Sequence, residues 1–285
     1  MSSTPDHKQN KGRVNINYLL AYLLTKKLDY GKSLAVHIPD GFLSLPVAAT
    51  TASLAVTSIA VSCGKTSHSK TQVKANLSAS TIGLVGTCIF AAQVVNFPVA
   101  MGTSGHLLGG AMAAILLGPF TAMLTLIGVL VLQCFVMHDG GYTALGANIL
   151  NMAVVSVWSG WLTYHLLGGS KRPILATAVA AWVSVMVSTI FCSFELALSG
   201  TFTISRVLPA MLEAHTITAL IEAAATAGIV RILLQQKAET NLVENRLSIN
   251  HVFLAGLTIV LFLLVPLACP WPDGLESVLQ SLSLR

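Results

Sequence analysis

Charge is scarce in this chain. Only 9% of its 285 residues are Asp, Glu, Lys or Arg, while 54% are hydrophobic; a soluble domain carries about 25% charged residues. So thin a charge cannot clothe a water-facing surface, but it suits helices whose outer face meets lipid. Other absences narrow the chemistry. No CxxC pair occurs, and Cys63, Cys88, Cys134, Cys192 and Cys269 lie in or beside apolar segments. They read as small buried hydrophobes, not as disulfides or a thiolate metal site. Gly31-Lys32-Ser33 and Gly64-Lys65-Thr66 resemble the end of a phosphate-binding loop, but the glycine required five residues before each Gly is replaced by Lys26 and Ile59. Both are rejected as nucleotide sites. GxSxG and HExxH are missing, which argues against a hydrolase or metalloprotease. Ser104 and His106 lie too close in one loop to be read as a triad. Nor are aromatic and basic residues interleaved, so the net charge of +5 does not indicate nucleic acid.

What is present is a series of apolar runs. A bilayer helix needs about 20 predominantly apolar residues, and the sequence predicts spans near 45–63, 77–98, 119–137, 148–168, 174–198, 208–234 and 250–268. A shorter run at 106–118 ends at Gly118-Pro119, so 106–137 is expected to form a helical hairpin turning at that pair. The expected fold is an all-α polytopic membrane bundle with about seven to eight crossings.

The cations orient it. Lys65, Lys70 and Lys74, then Lys171 and Arg172, then Arg231, Lys237 and Arg246 fall on one side if 106–137 crosses twice. Beyond residue 36, the other side holds only Arg206 and Arg285. Such a bias places the cation-rich side in the cytoplasm. The first 36 residues break the pattern, with Lys8, Lys11, Arg13, Lys26, Lys27 and Lys32 leading to the outer side.

Three histidines, His37, His106 and His138, flank loops on that outer face. Imidazole suits nickel, cobalt, copper and zinc. His37 precedes Ile38-Pro39-Asp40-Gly41, and His106 sits in a Gly-rich stretch from Gly102 to Gly110, where backbone can approach a small ligand. Glu195, Glu213, His215 and Glu222 lie inside predicted spans, where an ionisable group needs a partner or a purpose. They are read either as a polar lining below a metal site or as interhelical hydrogen bonds that fix packing. Gln93 and Asn96, on the helix before the His106 loop, are similar candidates.

Three stretches carry a resemblance: His37-Ile38-Pro39-Asp40-Gly41-Phe42; Asn96-Phe97-Pro98-Val99 with Gly102-Thr103-Ser104-Gly105-His106-Leu107-Leu108-Gly109-Gly110; and Leu145-Gly146-Ala147-Asn148-Ile149 with Asn151-Met152. Over roughly 36–235 the chain resembles the CbiM/NikM family, the substrate-binding (S) components of energy-coupling-factor cobalt and nickel importers. Pro272-Asp273-Gly274-Leu275-Glu276 resembles the PDGLE segment of a small accessory component that is sometimes fused. The implied organisation is an extension at 1–35, a metal-binding membrane domain at 36–235, a linker at 236–249 and a PDGLE-like segment with one membrane helix at 250–285.

The resemblance also implies a mechanism. The S component captures Ni2+ or Co2+ at the outer face of the plasma (inner) membrane. A transmembrane coupling (T) subunit and ATP-binding cassette ATPases then drive its release inside; cobalt would plausibly serve cobalamin synthesis. No permanent cofactor and no enzymatic activity of its own are implied. Carried over, the ligands are the backbone nitrogen and ring of His37, the ring of His106 and the amine of Val36 if the chain starts there. Gln93, Asn96, Ser104, His215 and Glu222 are expected around them. The family's chain begins Met-His, whereas Val36 is preceded by 35 residues. Three accounts follow: Val36 is the true start, read from GTG; Ser33-Leu34-Ala35 is a cleavage site; or the extension is retained and the site altered. They are preferred in that order. The rival function is a gradient-driven secondary transporter relying on carboxylates such as Glu213 and Glu222.

Overall fold

The computed structural model describes residues 37–68, 78–100, 103–239, 250–269 and 271–283. The extension at 1–35, Val36 and residues 240–249 of the expected linker lie outside the described residues.

The helices are α1 (Leu45–His68), α2 (Ala79–Val94), α3 (Gly110–Leu117), α4 (Pro119–Met137), α5 (Leu145–Leu166), α6 (Pro173–Leu198), α7 (Ile204–Glu239), α8 (His251–Leu267) and α9 (Gly274–Ser283). Among the described residues, five of them, α1, α4, α5, α6 and α7, are long and apolar enough to cross a membrane; α2 and α8 are shorter apolar helices. Local chemistry sets several ends. Ser78 caps α2 through Thr81 N, and Asn250 caps α8 through Phe253 N. Pro119 and Pro173 open α4 and α6, where the missing N–H costs nothing. The linker expected at 236–249 begins inside α7, which continues to Glu239.

Among the described residues, a two-stranded hairpin follows α2. Pro98 lacks an N–H and disfavours helix in Phe97 before it. The chain leaves the helix there and forms β1 (Phe97–Ala100), antiparallel to β2 (Thr103–Gly105). The turn expected at Gly118-Pro119 is present, but the first arm of that hairpin differs. It starts at Gly110, not 106, and its eight residues span about 12 Å, too short to cross alone. The physical cause lies in Gly109, whose φ of 78° is left-handed and cannot continue a right-handed helix; the Leu108 and Gly109 N–H groups bond to Glu222 at 2.8 Å each.

Two apolar clusters hold the bundle. The larger joins Ile89, Met112, Leu126, Leu130, Met152, Val157 and Val185; the second joins Ile38, Ala144, Leu196, Val207 and Met211 with Leu275, Val278 and Leu279 of α9. The second cluster attaches both the His37 segment and α9 to the end of the bundle formed by the α4–α5 and α6–α7 turns. Helix α5 contains a π-helical stretch at Leu150–Val155. Ser188 and Ser184 of α6 donate to the carbonyls of Asn151 (2.8 Å) and Ser156 (2.9 Å), which ties this stretch to α6.

Small residues bring the helices together. A Cβ on Gly146 would lie 2.5 Å from the backbone of Ala52 in α1, whereas one on Gly228 would meet nothing. Gly146→Ala should therefore destabilise the bundle by roughly 1–3 kcal/mol, seen as a lower melting temperature in detergent. Gly228→Ala should be neutral or slightly stabilising.

Candidate metal centre

The stretch His37–Gly41 forms neither helix nor strand, so its backbone groups need partners outside itself. Asn148 supplies them at Ile38: its Oδ1 accepts from Ile38 N at 2.9 Å and its Nδ2 donates to Ile38 O at 3.2 Å. Gly141 N also donates to Ile38 O at 2.9 Å. Asp40 accepts from the N–H groups of Tyr142 (3.1 Å) and Thr143 (2.7 Å) and from the Thr143 hydroxyl. Burial raises its pKa, but these hydrogen bonds outweigh that and hold its carboxyl below the usual range. The two chains run so close that a Cβ on Gly141 would sit 2.3 Å from Asp40 N.

This docking buries His37 to 2% exposure. Its Nδ1 lies 2.9 Å from Asp139 Oδ1. Its Nε2 is buried without a hydrogen-bond partner among the described residues. Burial alone would push the His37 pKa down, but the Asp139 charge and hydrogen bond, helped by Asp273, hold it above its ordinary value.

His106 is placed by the chain that follows it. Glu222 grips the Leu108 and Gly109 N–H groups, while Gln93 Nε2 donates to Leu108 O at 2.8 Å. The His106 ring centroid is 6.5 Å from that of His37. Its Nδ1 faces Leu107 O at 3.2 Å; a carbonyl only accepts, so Nδ1 carries the proton and Nε2 keeps a lone pair. Burial and the charge of His37 lower the His106 pKa to about 3. Both rings border a cavity of about 60 Å³, together with Asn151, Cys192, His215 and Leu275. His215 Nδ1 donates to Met211 O at 2.8 Å, which likewise leaves its Nε2 with a lone pair.

The fourth wall comes from the far end of the sequence. Ser104 donates twice to the C-terminal segment, from N to Pro272 O and from Oγ to Trp271 O, both at 2.7 Å. Ser104 and Asp273 form a parallel bridge. Cys269 N donates to Asn96 O at 2.8 Å. Asp273 caps α9 through Glu276 N at 2.6 Å. It is buried, and burial raises its carboxyl pKa to about 7 against the opposing pull of that hydrogen bond.

The structure thus brings together His37, His106 and His215 around one cavity, with Gln93, Asn96, Ser104 and Glu222 fixing the segments that form it. Val36 lies outside the described residues. His138 does not join the site: it is exposed and pairs with the Tyr142 hydroxyl at 2.9 Å. Glu213 is exposed. Glu195 accepts from Asn151 Nδ2 at 2.6 Å, so Glu195 and Glu222 both make hydrogen bonds between segments. Sequence reasoning passed over Asp139, one residue beyond His138, and Asp273, whose motif was visible but whose position was not. Cys192 fits the reading as a buried hydrophobe, yet it borders the cavity.

Comparison with known proteins follows the same outline. Residues 37–240 match the CbiM family, described as the cobalt uptake substrate-specific transmembrane region. Archaeoglobus fulgidus NikMN, named for fused nickel transport, is 36% identical over 222 residues, covering 77% of this chain and 72% of that protein. The cobalt transport protein CbiM of Acetoanaerobium sticklandii is 30% identical over 186 residues, 65% of this chain and 74% of its own. A crystal structure of a truncated transition metal transporter superposes with a TM-score of 0.63 at 27% identity, covering 70% of this chain and 99% of that one. With the family matched along most of its length, this multi-pass membrane chain belongs to the CbiM family.

Proposed function

We propose that this protein captures a nickel or cobalt ion between His37 and His106 on the non-cytoplasmic side of the plasma membrane, as the substrate-binding subunit of an importer. The observation that carries the reading is the His37 ring: buried, anchored through Nδ1 to Asp139, and holding an unpartnered Nε2 in a cavity shared with His106. An unpaired buried polar atom is costly, and a cation in the cavity would satisfy it. Relatives are named for nickel and for cobalt transport, and imidazole suits both metals.

Coupling to ATP is assigned to partners, a transmembrane T subunit and cassette ATPases, because the sequence carries no phosphate-binding loop of its own. Supply of cobalt for cobalamin synthesis belongs to the same proposal. The gradient-driven rival has less support: Glu222 uses both carboxylate oxygens on backbone N–H groups, and Glu213 is exposed. Uptake of nickel by cells should stop when ATP is depleted and survive collapse of the proton gradient; the reverse would favour the rival.

The His37 ring offers two modes. Only Nδ1 is close enough along the side chain to share a metal with the residue's own backbone nitrogen, and that chelate requires Nδ1 to leave Asp139. Alternatively Nε2 takes the metal while Asp139 orients the ring, an arrangement whose loss costs 10–100-fold in affinity elsewhere. Asp139→Asn discriminates: affinity for Ni2+ by calorimetry should fall about tenfold or more in the second mode, and hold or rise in the first. In either mode, His37→Ala and His106→Ala should abolish binding, and unchanged binding in both would refute the site.

Protons compete with the metal. Neutral imidazole is the ligand, and His37 is the ring whose proton is held above the ordinary imidazole value of about 6.5, whereas His106 stays neutral down to about pH 3. As pH falls, metal affinity should weaken, beginning above about pH 6.5, with a slope of at least one proton. Affinity that stays flat across that range would show that His37 holds no proton for the metal to displace.

A further inference from the structure

We infer that Asp273, carried by the C-terminal segment, is part of the ion's binding site: its buried carboxylate supplies negative charge to the cavity holding His37 and His106. This rests on the metal assignment above and extends it to a residue outside the matched region 37–240.

The placement is built from several independent contacts. Ser104, two residues before His106, holds the segment by two hydrogen bonds and sets Asp273 alongside itself. Gly274 lies against the His215 ring, where a Cβ would come within 3.0 Å of Cε1. Leu275 borders the cavity itself, and its neighbours Val278 and Leu279 pack in one cluster with Ile38 beside His37. Asp273 is only 3% exposed, and its charge acts on both His37 and Asp139. The independent pointer to a ligand is His37 Nε2, buried without a hydrogen-bond partner among the described residues while Nδ1 of the same ring faces Asp139. Two imidazoles bring no charge to a dication, and buried anions attract it strongly because little water screens them. Asp139, and Asp273 once an arriving ion displaces the proton that burial favours on it, would supply the negative charge that a divalent ion lacks from neutral rings.

A simpler role for Asp273 is the N-cap of α9, since its Oδ1 accepts from Glu276 N. The two roles order the substitutions oppositely. Asn caps a helix as well as Asp, and Glu is not a favoured cap. If the charge matters, Asp273→Asn should weaken Ni2+ binding by the full chain about tenfold or more, while the melting temperature without added metal stays near that of the wild type; Asp273→Glu should retain more affinity than Asp273→Asn. If Asp273 only caps, Asp273→Asn will bind Ni2+ like the wild type and Asp273→Glu will be the weaker variant, which overturns the inference. His106→Ala, measured alongside, separates the two levels. Lost binding in His106→Ala with normal binding in Asp273→Asn rejects Asp273 alone. Normal binding in His106→Ala rejects the metal site and this inference with it.

Discussion

The candidate site is organised around one docking interaction: the reciprocal pair of hydrogen bonds between the Asn148 side chain and the backbone of Ile38. The His37 segment has no secondary structure of its own, and bare backbone groups in an apolar bundle are expensive. Asn148 offers one acceptor and one donor at the spacing of a neighbouring strand, so it does the work of β pairing from a helix. With Ile38 seated, His37 is carried against Asp139 and Asp40 reaches the α4–α5 turn. The apolar side of Ile38 then joins the cluster that also holds α9.

The same economy recurs around the cavity. Wherever the chain departs from helix near the site, a side chain from another element replaces the missing backbone partner. Glu222 does so for Leu108 and Gly109, Gln93 for the Leu108 carbonyl, and the Ser104 hydroxyl for the Trp271 carbonyl. Backbone at membrane depth has to be satisfied from within the protein. This explains why Glu222 sits in a span. Its two oxygens are acceptors for two N–H groups, and its purpose is to hold the His106 loop open rather than to move a proton.

Much of this was legible in the sequence, because the apolar runs, the Gly118-Pro119 turn and the His37 and His106 motifs are local signals. The pairing of Glu222 with the His106 loop was not, since 113 residues separate Gly109 from its acceptor and no spacing rule reports such a contact. His138 misled for a related reason. It shares the α4–α5 loop with the His37 partner, Asp139, but its φ of 55° turns the backbone so that the two neighbouring side chains diverge, one to solvent and one to His37. The β1–β2 hairpin was hidden because two very short strands carry almost no periodicity, although Pro98 marked where α2 had to stop.

The C-terminal segment reaches the cavity because the chain itself carries it there. A separate polypeptide would have to lose its translational freedom each time it covered the cavity. Here α8 packs against α2, with His251 on the Thr81 hydroxyl at 2.7 Å and Phe90 beside Phe262, so Trp271 to Leu275 is delivered to Ser104 at high effective concentration. Yet the polar grip at Ser104 consists of only two hydrogen bonds, each worth about 1 kcal/mol net. Burial of Leu275, Val278 and Leu279 must supply most of the remaining hold. That apolar hold ties the segment to the second cluster, through Ile38, Val207 and Met211, and so to the same end of the bundle that seats His37.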